Sequence, residues 1–181
     1  MSKVDRRILK SREAIKKAFI ALMSEQSFDN ITIQDISNRA NVGRGTIYSN
    51  YIDKFDLLDK LIGEHINEMR ELYESTSDMD EIDAKELWFD YIKSNYVFFS
   101  TMLESKGAPY FRNQFLEFLV EEFKDEVDIN TGKNQGLNEE VILQIMATSY
   151  YGVVEWWVKN EMPYPPYVMA EHVGVLLEGN L

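Results

Sequence analysis

The stretch Ile31–Leu58, ITIQDISNRANVGRGTIYSNYIDKFDLL, constrains the fold more than any other part of the chain. Thr32 and Asp35 have the spacing of a capping box and open a short helix with Ile33, Ile36 and Ala40 facing inward. Asn41 follows, one of the few non-glycine residue types that accept a left-handed turn. A second short helix is predicted over roughly residues 44–50. Asp53, with Asp56 three positions on, caps a longer helix carrying Leu57, Leu58, Leu61, Ile62, Ile66, Met69 and Tyr73. Two short helices set at a steep angle by a tight turn, then a longer one, are the helix-turn-helix plan.

The remaining sequence has helical spacing almost throughout and no sustained strand-like alternation, so the chain is expected to be all-α, with about nine helices. Ile15, Ala18, Phe19 and Leu22 mark a helix before the motif. Residues 74–83 and 128–138 are expected as polar loops, and Gly107-Ala108-Pro109 as a break. Helices are expected over 87–103, 110–127, from the cap at Asn138 to about Asn160, and from about Tyr167 to Leu177. Pro163, Pro165 and Pro166 between the last two imply a sharp turn, with Pro166 suited to a first helical turn.

Charge divides the 181 residues unevenly. Residues 1–54 hold 10 Lys+Arg against 6 Asp+Glu, while 55–181 hold 9 against 25, for a net charge of −12. A basic head on an acidic body suits a head that meets a polyanion. Two units are expected, a DNA-binding head over 1–54 and a helical body over 55–181. Cysteine is absent, which excludes disulfide and thiolate chemistry and is compatible with a reducing cytoplasm. The N-terminus has no apolar signal-like run, and the longest uncharged C-terminal stretch, 141–154, is too short to span a membrane. A membrane partner is therefore not expected.

Within the motif, Val42 and Ile47 are expected to pack toward Ile36 and Phe19, leaving Arg44, Gly45, Thr46, Tyr48, Ser49 and Asn50 outward. These types suit a major groove: Arg grips a guanine edge, Asn an adenine edge, Thr a phosphate or thymine methyl. Gly45 permits close backbone approach, and Lys54 is expected to meet a phosphate beside the amides of its helix N-terminus. Tyr51 is assigned to packing, and Tyr48 is open between packing and a phosphate contact. Lys3, Arg6, Arg7 and Lys10 form either a loose arm along the DNA backbone or a disordered terminus.

The segment 31–58, preceded by REAIKKAFIALMSEQSF (12–28), resembles the DNA-binding signature of the TetR family of bacterial transcriptional regulators. The likeness rests on the Thr-started helix, the Ala-Asn-Val turn, Gly-Thr-Ile-Tyr, and Tyr51 followed by Lys54 and Leu57-Leu58. It implies a dimer on a pseudo-palindromic operator of double-stranded DNA, usually a repressor released by a small-molecule effector. It also implies recognition-helix contacts from Arg44, Thr46, Tyr48, Ser49 and Asn50, and phosphate contacts from Thr32 and Lys54. Asn41 stands where the family commonly has Gly. Gly43 replaces the usual Ser or Thr cap, which weakens that cap, and Phe55 replaces a usual acid.

The body offers no catalytic set, so an enzyme is not expected, nor is a cofactor or metal. His65 and His172 are isolated, and no metalloprotease motif, phosphate loop or nucleophile elbow occurs. Its aromatic residues are expected to be mostly core, with some lining an apolar pocket. The family resemblance places that pocket at Trp88, Tyr91, Met102, Phe115, Met146 and Tyr150. The last two helices carry apolar residues on more than one face, with Gly152 and Gly174 allowing close approach, and by resemblance they form the homodimer interface. The alternative is a small-molecule binding protein of the same fold whose head no longer reads DNA.

Overall fold

The helical periods become nine α-helices and one 3-10 turn among the residues that the computed structural model describes, 3–75, 81–104, 108–124 and 134–180. Helix α1 (Lys3–Glu25) leads through the 3-10 turn (Phe28–Asn30) to α2 (Ile33–Ala40) and α3 (Arg44–Tyr48). These pack around Ile15, Phe19, Leu22, Ile36 and Ile47, all buried. The Phe28 ring closes this small core, edge-on to Phe19 at 6.1 Å and to Phe55 at 5.1 Å. The basic N-terminal segment is neither a loose arm nor disordered: it forms the first turns of α1, with Arg6, Arg7 and Lys10 exposed.

Helix α4 (Lys54–Glu74) joins head to body. Asp53 caps it, accepting from the amides of Phe55 and Asp56 at 2.8 and 2.9 Å. Its buried face, Leu57, Leu58, Leu61, Ile62, Ile66 and Met69, is the predicted one except for Tyr73, which is only partly buried. It packs on α5 (Glu81–Ser94) and α7 (Ala108–Phe123). Helix α5 lies along α9 (Pro166–Asn180), and α8 (Glu139–Lys159) lies on α7 and on α6 (Tyr96–Glu104).

The single helix expected over 87–103 is two. The break falls at Asn95, whose side-chain amide donates to the Tyr91 carbonyl at 3.0 Å and competes with its own backbone N–H for that acceptor, while its carbonyl receives the amides of Phe98 and Phe99. Helix α5 also starts six residues before Leu87, and α7 ends at Phe123, short of Val127. Gly107 and most of the expected loops lie outside the described residues. Asn138 caps α8 as expected, accepting from the Val141 amide at 3.1 Å. The reversal before α9 is made by Glu161 and Met162, both left-handed at φ 58° and 55°; Pro166 then begins α9.

Aromatic rings fill the body. Trp88, Phe89, Phe99, Phe111, Phe115, Phe118, Phe123, Tyr150 and Trp157 are buried and stack or meet edge to face. The two indole N–H groups find carbonyls, Trp88 at Met69 (3.1 Å) and Trp157 at Tyr164 (2.8 Å), as buried indoles must.

Candidate nucleic-acid interface

The head is held in shape by local chemistry. The Thr32 hydroxyl accepts from the Asp35 amide at 3.2 Å, and the Asp35 carboxylate receives the Thr32 amide at 2.9 Å. A 2.6 Å bond from the Thr32 hydroxyl, with the bond from the Thr32 amide, holds the Asp35 carboxyl below its ordinary range. Asn41 takes the left-handed conformation at φ 52°, ψ 47°. The Ser37 hydroxyl then ties the turn by donating to the Val42 carbonyl at 2.6 Å.

Helix α3 contains five residues, and Gly43 at its N-cap gives no side-chain cap. Ile47 is its one buried residue, at 0% exposure. Arg44, Gly45, Tyr48 and Ser49 are exposed, and Thr46 is half-buried. Tyr48, at 58% exposure, stands out from the head, whereas Tyr51, at 4%, packs within it. A side chain at Gly45 would meet nothing nearby, so the backbone there is open to close approach. Arg6, Arg7 and Lys10 line a groove with Ser11, Ala14 and Val42, which sets further positive charge beside the turn.

Four of the predicted contact residues are engaged within the protein, among them Ser49, whose hydroxyl donates to the Thr46 carbonyl at 2.9 Å and accepts from the Asn50 amide at 3.2 Å. The Thr32 hydroxyl belongs to the capping box. Asn50 donates to the Thr46 carbonyl at 2.7 Å and accepts from Arg12 Nε at 2.8 Å. Lys54 Nζ donates to the carbonyls of Phe28, Asp29 and Ile31 at 2.9, 2.9 and 3.0 Å, and lies 4.7 Å from the centre of the Phe28 ring. Its three protons satisfy the carbonyls at the end of the 3-10 turn, so no donor remains for a phosphate in this conformation. Arg12 and Lys60, which the sequence did not single out, complete the head: Lys60 Nζ donates to the Asn50 carbonyl at 3.3 Å and to Asp56 at 2.9 Å.

In the body, five of the six predicted pocket residues are packed core. Trp88, Met102, Phe115, Met146 and Tyr150 are buried, with the Trp88 and Tyr150 ring centres 5.7 Å apart. Tyr91 lies elsewhere, half-buried, donating to Glu68 at 2.8 Å and 2.6 Å from His65 Nδ1. With the Tyr91 proton on Glu68, His65 Nδ1 carries the proton of its own bond. Burial pushes the imidazole down to about 4, against the opposing pull of Glu68, and its ring stacks on Phe98 at 3.7 Å. His65 lines an open cleft of about 700 Å³ between α1, α4 and the start of α6, walled by Ile20, Leu61, Val97 and Phe98. Lys16 on α1 and Glu64 on α4 form an ion pair across it.

The outer side of α8 exposes Val141, Ile145 and Trp156, and that of α9 exposes Tyr167, Val175 and Leu176. Gly152 lies on the same side of α8, with open space around it. No helix among the described residues is long and apolar enough to cross a membrane, and no group of three or more His, Cys, Asp or Glu among them could hold a metal ion.

Comparison with known proteins matches both halves of the chain. The family described as bacterial regulatory proteins, tetR family, matches residues 15–61, and the transcriptional regulator C-terminal region family TetR_C_8 matches residues 82–179. An uncharacterized HTH-type transcriptional regulator of Bacillus subtilis, YxbF, is 36% identical over 84 residues, 46% of this chain; the chain spans 22% of that relative's length. A TetR transcriptional regulator from Streptococcus agalactiae 2603V superposes with a TM-score of 0.75 at 25% identity, covering 96% of each chain. FadR from Bacillus subtilis, solved in complex with stearoyl-CoA, shares the fold at a TM-score of 0.64 and 19% identity, over 93% of this chain and 98% of its own.

Proposed function

The chain belongs to the TetR family of bacterial transcriptional regulators, and on that premise we propose that it is a dimeric repressor that leaves a pseudo-palindromic operator when a small apolar or aromatic molecule binds its body. The observation that carries this reading is the face of α3. One inward isoleucine anchors a helix whose other side presents Arg44, Gly45, Tyr48 and Ser49 to solvent. Arg44 supplies the fork that reads a guanine edge, Tyr48 a hydroxyl within reach of a phosphate, and Gly45 the close backbone approach.

Dimerisation is supported by the apolar side of α8 and α9. Exposed Val141, Ile145, Trp156, Val175 and Leu176 make a surface that a second copy would bury. Two recognition helices held at fixed spacing bind far more tightly than one. The effector reading rests on the body. FadR carries stearoyl-CoA on the same fold, and the cleft of about 700 Å³ already touches both α1 and α6. An effector among the packed rings would have to part them; one in the cleft would act on the Lys16–Glu64 pair directly. Either needs only a differential affinity for two dimer shapes, about 1–3 kcal/mol.

The second reading, a ligand binder whose head is silent on DNA, is favoured by the uncapped Gly43 and the inward engagement of Asn50 and Lys54. Selection of sites from random duplex DNA separates the two. The repressor reading expects an enriched palindrome whose recognition is lost in an Arg44→Ala, Tyr48→Ala double variant of unchanged thermal stability. No enrichment by the wild-type protein would leave the second reading standing.

A further inference from the structure

The recognition helix has little to hold its angle. Five residues make barely one turn, too short to be stable alone. With Ile47 as the one buried anchor, α3 could swivel about that side chain. What opposes the swivel lies at its C-terminal end. Asn50 is joined to the helix through the Thr46 carbonyl (2.7 Å), to α1 through Arg12 Nε (2.8 Å) and to α4 through Lys60 Nζ on its backbone carbonyl (3.3 Å). The orientation of its amide is fixed by chemistry: Arg12 can only donate and the Thr46 carbonyl can only accept, so oxygen faces α1 and nitrogen faces α3.

We propose that Asn50 is a positioning residue and not a base reader: gripped by Arg12 and Lys60, it sets the rotation of α3 about Ile47 and so the aim of Arg44 and Tyr48. The proposal rests on the operator-binding reading above. Arg12 lies 38 residues from Asn50 in sequence and four before Lys16, which pairs with Glu64 of α4. One face of α1 therefore holds both the recognition helix and the helix that runs into the body.

The test uses four variants of the full chain: Arg12→Ala, Arg12→Gln, Asn50→Ala, and the Arg12→Ala, Asn50→Ala double. Glutamine places an amide N–H the same number of bonds from the backbone as Arg Nε, without charge. Against a duplex selected by the wild-type protein, each alanine variant is expected to lose about tenfold in affinity. The double variant should lose no more than either single, and Arg12→Gln should recover most of the loss. The salt dependence and the affinity for random DNA should not change. Two results with DNA overturn the proposal. Arg12→Gln as weak as Arg12→Ala, with a salt slope lowered by about one, makes Arg12 a phosphate contact. Loss of discrimination at a single base pair in Asn50→Ala makes Asn50 a reader. A DNA-free measurement stands beside these: backbone ¹⁵N order parameters over residues 44–50 should fall in both alanine variants and recover in Arg12→Gln. Unchanged values there overturn the proposal even if no duplex is ever enriched, an outcome that by itself would count only against operator binding.

Discussion

Head and body are both helical and each has an apolar core, yet the contacts that dominate between their elements differ. In the head, charged and amide side chains bridge elements far apart in sequence: Arg12 to Asn50, Lys54 to the 3-10 turn, and Arg39 to Glu25 at 3.0 Å. In the body, rings pack on rings from Trp88 through Phe115 to Trp157, with few polar groups inside. Hydrogen bonds have direction and hold an angle, whereas dispersion and burial fill volume with little preference for angle. A unit that must aim side chains at a grooved polymer is built the first way. A unit that, on the proposed function, must stay folded and admit a guest is built the second way.

The difference can be broken open by experiment. The largest effect belongs to the body. Trp157→Ala, removing a fully buried ring, should destabilise the protein by about 3–5 kcal/mol in denaturant unfolding. A loss below about 1 kcal/mol would mean that the rings are not close-packed. Next comes His65, at the joint between the units. Its folded pKa of about 4 lies below the unfolded value of 6.5, so the unfolded chain takes up the proton first as pH falls. Its contribution is therefore intact above about pH 6.5 and lost progressively down toward pH 4. Between pH 7.5 and pH 5 this group should remove about 2 kcal/mol of stability. His65→Gln should flatten that part of the pH profile; an unaltered slope contradicts a buried neutral imidazole. The smallest effect is in the head. Lys54→Met keeps the stem and deletes the donors to three half-exposed carbonyls, and should cost about 1 kcal/mol. Amide exchange should locate that loss around residues 28–31, and protection unchanged there would show that the carbonyls find water instead.

Much of the head was legible in the sequence because its signals are local. A Thr–Asp spacing of three, an asparagine after an alanine, and an aspartate before Lys-Phe-Asp each determine a cap or turn within a few residues. All three appear as expected. The long side chains were not legible. Lys54 ends on carbonyls 23 to 26 residues away and Asn50 meets an arginine 38 residues away, and such meetings depend on helix angles that no local pattern encodes. In the body, periodicity found the helices but missed the break at Asn95. That asparagine ends a polar Lys93-Ser94-Asn95 step just before the aromatic Tyr96–Phe99 run, with no glycine or proline to mark the break, and the side-chain and backbone bonds that divide the two helices appear only in the folded structure. The six residues proposed to line a pocket show the same limit. Residue type says that a side chain is bulky and apolar; whether its neighbours leave a space beside it is a property of the packing.

The grip of Lys54 bears on how such a protein can be recombined. Its backbone begins α4, while its ammonium fastens the end of the preceding turn, so a cut at residue 54 severs a three-way knot. At the far end of the same helix, Arg70 reaches Glu122 on α7 at 3.0 Å. Helix α4 is thus a strut moored in both halves, about 32 Å long. A chimera grafting this head onto another sensor must either carry the strut whole, with its α7 mooring rebuilt, or supply a replacement lysine at the splice.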